Sequence, residues 1–271
     1  MTSQVDPAGE KASAGLQGRR ILVSGGTSGI GREVVLRSAR LGADVAFCGL
    51  EPHLAEEVAE EVEAMGRRCY REAFDVSDLE RSRAFVRSAV EALGGLDGLV
   101  NNAGANFFRG VLGADREAIE RCFAVDFYPA WAISQEAHAA LAASRGVVVT
   151  VSSIHARRTN PGSFPYNAAK AALVALSQSL ALEWASEGVR SVAVAPALIL
   201  SPLAEAYFEG FPDPAAERSR LEAHYPGGQA GSPADVAALI TFLLSGESRF
   251  LSGALINVDG AMSSLLEPAD S

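Results

Sequence analysis

From residue 19 onward, short apolar runs alternate with longer amphipathic segments along almost the whole chain. Strands that alternate with helices of about 11 residues or more pair in parallel, through right-handed crossovers. The run Val147–Val151 is apolar on both faces, which is typical of a sheet covered on both sides. The pattern predicts one doubly wound, Rossmann-like α/β domain with a parallel sheet of seven strands and helices on both faces.

The predicted domain extends over residues 19–262, without an internal repeat or linker that would divide it. We expect its strands at 21–24, 45–48, 69–74, 96–100, 147–151, 190–195 and 254–258. We expect its helices at 31–41, 54–65, 79–93, 114–142, 166–184 and 233–244, with an irregular stretch over 197–232. Residues 1–18 and 263–271 are predicted to be disordered tails.

The net charge of −10 disfavours binding to nucleic acid or to an anionic membrane surface. No apolar run reaches the roughly 18–20 residues of a membrane span. The three cysteines have no metal-binding spacing, so we predict reduced thiols, no metal site and a cytoplasmic location. A small molecule is therefore the expected partner.

Lys170 is the only lysine after residue 17, in a chain that otherwise uses arginine. A lysine ammonium is a compact charge on a flexible stem, whereas a guanidinium is a flat fork. Tyr166 precedes Lys170 by four residues, so on a helix the two side chains lie about 5–6 Å apart at Cβ. This pair is a candidate for proton transfer, although the spacing alone also arises by chance.

The first predicted strand is followed by a glycine-rich turn, residues 24–31, and then directly by a helix. Glycine at Gly25, Gly29 and Gly31 lets the backbone approach a ligand closely. The start of the helix offers N–H groups and a positive dipole end to a pyrophosphate. This arrangement predicts a dinucleotide site.

With these motifs the chain resembles the short-chain dehydrogenase/reductase family over residues 19–260. The other motifs that carry the resemblance are Asp75-Val76, Asn101-Asn102-Ala103-Gly104, Ser152-Ser153, Tyr166-Asn-Ala-Ala-Lys170 and Pro196. The resemblance implies a nicotinamide-dependent alcohol dehydrogenase or ketoreductase. It also implies a homodimer or homotetramer that associates through the two long helices.

The resemblance also implies roles for individual residues. Tyr166 would be the general acid/base, Ser153 would hold the substrate oxygen, and Lys170 would lower the tyrosine pKa and hold the nicotinamide ribose. The fourth catalytic position carries Asp126 where the family has asparagine, and Ala197 replaces the glycine of the family's Pro-Gly turn. A carboxylate near Lys170 would partly cancel the field of the ammonium at Tyr166. A tyrosine that works near neutral pH needs a pKa lowered from about 10, and the lysine is predicted to supply most of that shift.

The position that selects between NAD and NADP is Gly49, where NAD enzymes of the family carry aspartate. The next residue, Leu50, occupies the position where NADP enzymes carry arginine. Gly49 would leave room for a 2′-phosphate, to which Thr27 and Ser28 could donate. Glu51 would repel this phosphate or serve instead as a substitute acceptor for the ribose. We expect NADP(H), with NAD(H) as the alternative. The predicted cofactor contacts are Gly25, Thr27, Ser28, Gly29, Ile30, Gly31, Gly49, Leu50, Asp75, Val76, Asn102, Ala103, Gly104, Tyr166, Lys170, Pro196, Ala197, Ile199 and Ser201.

The substrate pocket is expected between the segments 106–108, 154–158 and 197–232, the last of which carries aromatic residues suited to a lid. The predicted substrate contacts are Asn106, Phe107, His155, Phe164, Tyr207 and Phe208. The alternative to an oxidoreductase is a cofactor-binding regulatory or scaffold protein with weakened catalysis, for which Asp126 and Ala197 are the only support. An enoyl reductase fits less well, because such enzymes usually separate the tyrosine and lysine more widely.

Overall fold

The computed structural model describes residues 15–265 of the chain. The strands are β1 Arg20–Ser24, β2 Asp44–Gly49, β3 Cys69–Ala73, β4 Gly98–Asn101, β5 Val147–Val151, β6 Arg190–Pro196 and β7 Leu255–Val258. The α-helices are α1 Gly29–Arg40, α2 Pro52–Ala64, α3 Leu79–Leu93, α4 Arg116–Asp126, α5 Tyr128–Ser144, α6 Tyr166–Glu183, α7 Pro202–Phe208, α8 Pro214–Glu222 and α9 Pro233–Leu244.

All seven strands pair in parallel, in the order β3-β2-β1-β4-β5-β6-β7. The predicted fold is therefore confirmed. The chain reverses its direction of winding between β1 and β4. Ligands of such sheets bind at the carboxyl ends of the strands beside this reversal.

Two apolar layers cover the two faces of the sheet. On one face, α1, α2 and α9 bury side chains against alternate residues of the strands, with Phe47 of β2 fully buried among them. On the other face, α3, α5 and the end of α6 pack around the buried Phe85 of α3. The strands are thus held on both sides, which fixes the loops at their carboxyl ends.

A single helix was predicted over 114–142, but the structure has two helices there, because the helix is interrupted at Phe127. Pro129 lies in the first turn of α5, where its missing N–H costs nothing. A continuous helix through Pro129 would lose a hydrogen bond and strain the preceding turn. The break leaves Asp126 as the last residue of α4.

The predicted irregular stretch 197–232 contains two further helices. Each begins with a capping side chain followed by proline: Ser201 accepts a hydrogen bond from Ala204 N before α7, and Asp213 accepts one from Ala216 N before α8. Both are ordinary helix-start signals, and the sequence carried them.

The packed chain begins before the predicted boundary at residue 19. Leu16 is fully buried, and its N–H donates to the carbonyl of Leu41 at 2.9 Å. The prediction that residues 15–18 belong to a disordered tail is therefore wrong. Residues 263–265 of the other predicted tail are also described, and the rest of both predicted tails lies outside the described residues. Within residues 15–265 no helix is long and apolar enough to cross a membrane, and no cluster of potential metal ligands occurs.

Candidate active site

The glycine turn after β1 can be built only from glycine at two positions. Gly25 has a φ of +69°, and a Cβ there would lie 2.9 Å from Ala103 Cα. A Cβ on Gly31 would collide with the carbonyl of Gly25. Ser28 precedes α1 with an extended backbone, and its side chain makes no capping hydrogen bond. The geometry fits a pyrophosphate, because the N–H groups that begin α1 are left to a ligand.

Asn102 ties the loop after β4 to this turn. Its Nδ2 donates to the carbonyls of Ser24 and Gly25 at 3.1 and 3.0 Å. In return, the hydroxyl of Ser24 accepts from the backbone N–H groups of Asn102 and Ala103 at 3.0 and 3.1 Å. The two predicted cofactor segments, 25–31 and 102–104, are therefore in direct contact.

Asp75 and Val76 lie beyond the end of β3. Asp75 accepts a hydrogen bond from Ser77 N at 2.9 Å and lies 3.4 Å from the guanidinium of Arg121. The backbone hydrogen bond lowers the pKa of Asp75, and the Arg121 charge lowers it further. This carboxylate is exposed beyond the end of the edge strand β3, where the resemblance places the adenine.

Thr27 fills the space beside Gly49. A Cβ on Gly49 would overlap the Thr27 side chain, which is 8% exposed. The predicted free space for a 2′-phosphate at Gly49 is therefore corrected: the Thr27 side chain already occupies it and brings a hydroxyl to this point. Leu50 is 63% exposed, and Ser28 is exposed as well.

Four predicted cofactor residues follow one another at and beyond the end of β6. Ala197 N donates to the carbonyl of Val258 at 3.1 Å, and the buried Ile199 pairs with Gly231. A Cβ on Gly29 would lie 3.3 Å from Ser201 Cβ, so Ser201 borders the glycine turn. The buried Pro196 is the last residue of β6, so this segment runs from the end of β6 to the glycine turn.

Ser153, Tyr166 and Lys170 meet at the carboxyl end of β5. Ser153 follows the strand and is 6% exposed, Tyr166 is the first residue of α6, and Lys170 lies one helical turn further. The Lys170 Nζ lies 5.4 Å from the centre of the Tyr166 ring. The hydroxyl of Ser152 donates to the carbonyl of Lys170 at 2.7 Å and attaches α6 to the strand end.

The side chain of Asp126 faces Lys170. Its Oδ1 lies 3.5 Å from Lys170 Nζ and accepts a hydrogen bond from Ala105 N at 3.0 Å, while Oδ2 lies 3.6 Å from the thiol of Cys122. Gly104 passes directly beside the pair: a Cβ there would lie 2.5 Å from Asp126 Oδ1 and 3.0 Å from Lys170 Nζ. The ion pair and the backbone of Gly104 therefore fill this corner of the site together.

The pKa of Tyr166 is raised above its usual value, which corrects the predicted lowering. Burial of the phenol is the largest cause and outweighs the opposing effects of Lys170 and of the hydrogen bond with Ser153. Asp126 raises the pKa of Tyr166 further. Burial alone would lower the pKa of Lys170, but Asp126 and Tyr166 raise it overall. Burial raises the pKa of Asp126, although Lys170 and the Ala105 N–H oppose this.

The loop after β4 is joined to the segment before α6. Phe108 forms a β-bridge with Pro165, Arg109 N donates to the carbonyl of Phe164 at 2.9 Å, and Tyr166 N donates to that of Phe107 at 3.3 Å. Phe107 and Phe164 thus act here through their carbonyls, and the neighbouring Asn106 is half-buried. The ring of this loop that contacts Tyr166 is that of Phe108, which belongs to the predicted wall segment but was not among the predicted contacts.

His155 and Tyr207 complete this side of the site. The ring centres of His155 and Tyr166 are 5.9 Å apart, and those of Tyr207 and Phe108 are 6.0 Å apart. Phe208, in contrast, is 2% exposed and packs 5.7 Å from Tyr207. We therefore assign Phe208 to the anchoring of α7 rather than to contact with substrate.

Comparison with known proteins gives a family model over nearly the whole described chain. Residues 25–263 match the model described as "Enoyl-(Acyl carrier protein) reductase". The chain is 34% identical over 250 residues to L-rhamnose 1-dehydrogenase (NAD(P)(+)) from Sphingomonas sp. (strain SKA58), which covers 91% of this chain and 97% of that protein. It is also 34% identical over 252 residues to 2-(S)-hydroxypropyl-CoM dehydrogenase 3 from Xanthobacter autotrophicus, covering 92% and 98%.

A solved structure shows the same likeness. The crystal structure of a putative short-chain alcohol dehydrogenase from Sinorhizobium meliloti 1021 superimposes with a TM-score of 0.86 and 30% identity, covering 93% of this chain and 99% of that one. The fold, the glycine turn and these relatives define a nicotinamide-dependent oxidoreductase that acts on alcohols or ketones. The chain belongs to the short-chain dehydrogenase/reductase family.

Proposed function

We propose that Tyr166 is the general acid/base of an alcohol dehydrogenase or ketoreductase reaction in this site. The observation that supports it is the meeting of Ser153, Tyr166 and Lys170 beyond β5, beside the glycine turn. A bound nicotinamide would supply or accept the hydride. In reduction, Tyr166 Oη would donate its proton to the substrate oxygen; in oxidation it would take that proton back.

Ser153 would donate a hydrogen bond to the same oxygen while negative charge develops on it. Its hydroxyl already accepts from His155 N at 3.2 Å, which fixes the side chain and leaves its own hydrogen to donate. The Lys170 ammonium would stabilise the phenolate form of Tyr166. Asp126 would hold that ammonium charged and in place.

The cofactor contacts proposed for the pyrophosphate are those of the glycine turn and α1, and those for the ribose are Tyr166 and Lys170. We propose NADP(H) as the preferred cofactor, with NAD(H) as the alternative. Two observations support this choice: position 49 offers no carboxylate to a ribose hydroxyl, and the Thr27 hydroxyl stands in its place. Glu51, exposed beside them, would weaken the preference.

A homodimer or homotetramer is proposed from the exposed apolar side chains of α5 and α6. Trp131 of α5 is 40% exposed, Tyr128 is 42% exposed and Leu182 of α6 is 81% exposed. Such side chains on adjacent helices favour an interface with a second copy.

The three free cysteines, two of them buried, support the proposed cytoplasmic location.

Turnover with a panel of ketones and aldehydes, measured with NADPH and NADH through nicotinamide absorbance, tests the function. We expect reduction of at least one carbonyl compound, and its loss in Tyr166→Phe. Cofactor binding without turnover of any carbonyl would favour the regulatory alternative. A 2-enoyl thioester belongs in the panel, since its reduction in preference to every ketone would assign the chain to enoyl reduction instead.

A further inference from the structure

Three aromatic rings form a connected group at Tyr166, in which Phe108 and His155 contact Tyr166 and Tyr207 contacts Phe108; we call these three rings the aromatic wall. Phe108 and His155 meet Tyr166 nearly at right angles, with ring centres 5.2 and 5.9 Å away. Tyr207 reaches Phe108 from α7 at 6.0 Å and 90°. Such edge-to-face contacts at about 4.5–7 Å are the favoured geometry for aromatic pairs.

The aromatic wall is held in place from both ends. The β-bridge between Phe108 and Pro165 fixes the Phe108 backbone beside the residue that precedes Tyr166. On α7, Tyr207 packs against Phe211 at 5.1 Å and against the buried Phe208. Because the rings are already positioned, little ordering cost would remain when a flat ligand packs on them.

The charged side chains that act on Tyr207 are Glu217 and Arg220, and they pair with each other at 2.7 Å, so the net charge beside the wall is small. Burial lowers the pKa of His155, which keeps its ring neutral, and its Nδ1 is engaged 3.0 Å from the Thr159 hydroxyl. Arg109 donates to the carbonyl of Phe108 at 3.1 Å, and Arg158 donates to that of Leu265 at 2.9 Å. Both arginines are exposed, and their guanidinium groups are engaged with backbone carbonyls.

A sugar needs several directed hydrogen bonds, and an anion needs a cation aimed at it, whereas a flat uncharged ring needs apolar faces. We propose that the substrate is an uncharged carbonyl compound whose carbonyl group is attached to an aromatic ring, and that Phe108 and Tyr207 select it. This proposal rests on the function proposed above and names its substrate class. The substrate ring packs against the aromatic wall while its oxygen lies at Tyr166.

The test compares acetophenone with cyclohexyl methyl ketone, which has the same number of heavy atoms but a saturated ring. The kcat/KM ratio of the two ketones is measured for the unaltered enzyme and for Phe108→Leu, Tyr207→Leu and Phe250→Leu. Comparing ratios between variants cancels the different intrinsic reactivity of the two carbonyls. Phe250 is fully exposed and serves as the matched control.

We expect Phe108→Leu and Tyr207→Leu each to lower the ratio about five- to tenfold, mainly through a higher KM for acetophenone. Phe250→Leu should leave the ratio unchanged. Tyr207→Leu keeps the test decisive if Phe108→Leu displaces Tyr166 and loses all activity.

An unchanged ratio in Tyr207→Leu would overturn the proposal. So would a higher kcat/KM for L-rhamnose or for 4-formylbenzenesulfonate than for every uncharged aromatic ketone or aldehyde. Turnover of ketones without any preference for the aromatic ring would overturn the substrate class alone and leave the proposed function standing. No turnover of any carbonyl with either cofactor would overturn both.

Discussion

The ammonium of Lys170 and the carboxylate of Asp126 lie 3.5 Å apart, and both side chains are buried. Removing two charges from water is costly, so a buried pair of this kind needs further hydrogen bonds to be tolerated. Asp126 receives one from Ala105 N, and the thiol of Cys122 lies at its other oxygen. The pair links α4, α6 and the loop after β4, and its ammonium lies 5.4 Å from the centre of the ring of Tyr166, the proposed catalytic tyrosine.

Tyr166→Phe should lose at least about two orders of magnitude in kcat, because the loss of a general acid/base typically costs 10²–10⁴. The cofactor should still bind, since Lys170 and the proposed pyrophosphate contacts of the glycine turn and α1 remain. Tyr128→Phe removes a phenol hydroxyl from a half-exposed position on α5 and should keep full activity. Comparable kcat values in the two variants would remove Tyr166 from the proposed role.

Gly104→Ala tests how tightly the site is built. The added Cβ would lie 2.5 Å from Asp126 Oδ1 and 3.0 Å from Lys170 Nζ, so the ion pair must shift. We expect kcat to fall about tenfold or more, because small displacements in a catalytic group are costly. Gly227→Ala is the matched control, as nothing lies within 4 Å of its Cβ. If Gly104→Ala retains full kcat, the ion pair does not have to stay where it is.

Leu50→Arg should raise the kcat/KM ratio of NADPH to NADH, because a guanidinium at this exposed position would pair with a 2′-phosphate. Leu50→Gln, of similar length but uncharged, separates the charge from the change in shape. If the kcat/KM ratio of NADPH to NADH in Leu50→Arg is the same as in the unaltered enzyme, or lower, position 50 does not face the adenosine ribose.

Gly49→Asp should not give a working NAD site by itself, since its side chain would overlap Thr27. We expect Gly49→Asp to lower the melting temperature. The double variant with Thr27→Gly should recover part of this loss, because glycine at position 27 leaves space for the aspartate. Differential scanning fluorimetry of the single and double variants measures this. A single variant as stable as the parent would mean that Thr27 moves aside freely.

Much of this architecture could be predicted from local patterns. The apolar runs predicted the ends of all seven strands to within one or two residues, because strands of a sheet buried on both faces are apolar along nearly their whole length. The break at Phe127 and the starts of α7 and α8 were also readable, from Pro129 and from the Ser-Pro and Asp-Pro pairs.

Other features depend on how distant segments meet, and no local pattern contains them. The contact of Phe108 with Tyr166 follows from a bridge between loops more than 50 residues apart. The raised pKa of Tyr166 follows from its burial, which the spacing to Lys170 does not reveal. The filling of the Gly49 site by Thr27 likewise arises only when β1 and β2 lie side by side.

The last prediction concerns Asp126, which contributes to the raised pKa of Tyr166. In oxidation Tyr166 must be deprotonated to accept the proton, so activity rises with pH through the tyrosine pKa. Replacing Asp126 by neutral asparagine removes the negative charge and leaves the field of Lys170 uncompensated. The tyrosine pKa should fall, and a residual interaction of about 1.4 kcal/mol corresponds to one pH unit. We therefore expect Asp126→Asn to shift the rise of the oxidation profile to lower pH, with little change in cofactor affinity.

Profiles of kcat for alcohol oxidation from about pH 6 to 10 check this expectation. Glu117→Gln removes a charge from an exposed position on the same helix and should leave the profile in place. Superimposable profiles of Asp126→Asn and the parent would mean that Asp126 carries no charge that Tyr166 senses, as a carboxyl protonated through burial would. A shift to higher pH would mean that Asp126 lowers the tyrosine pKa, by holding Lys170 closer to the phenol than an asparagine does.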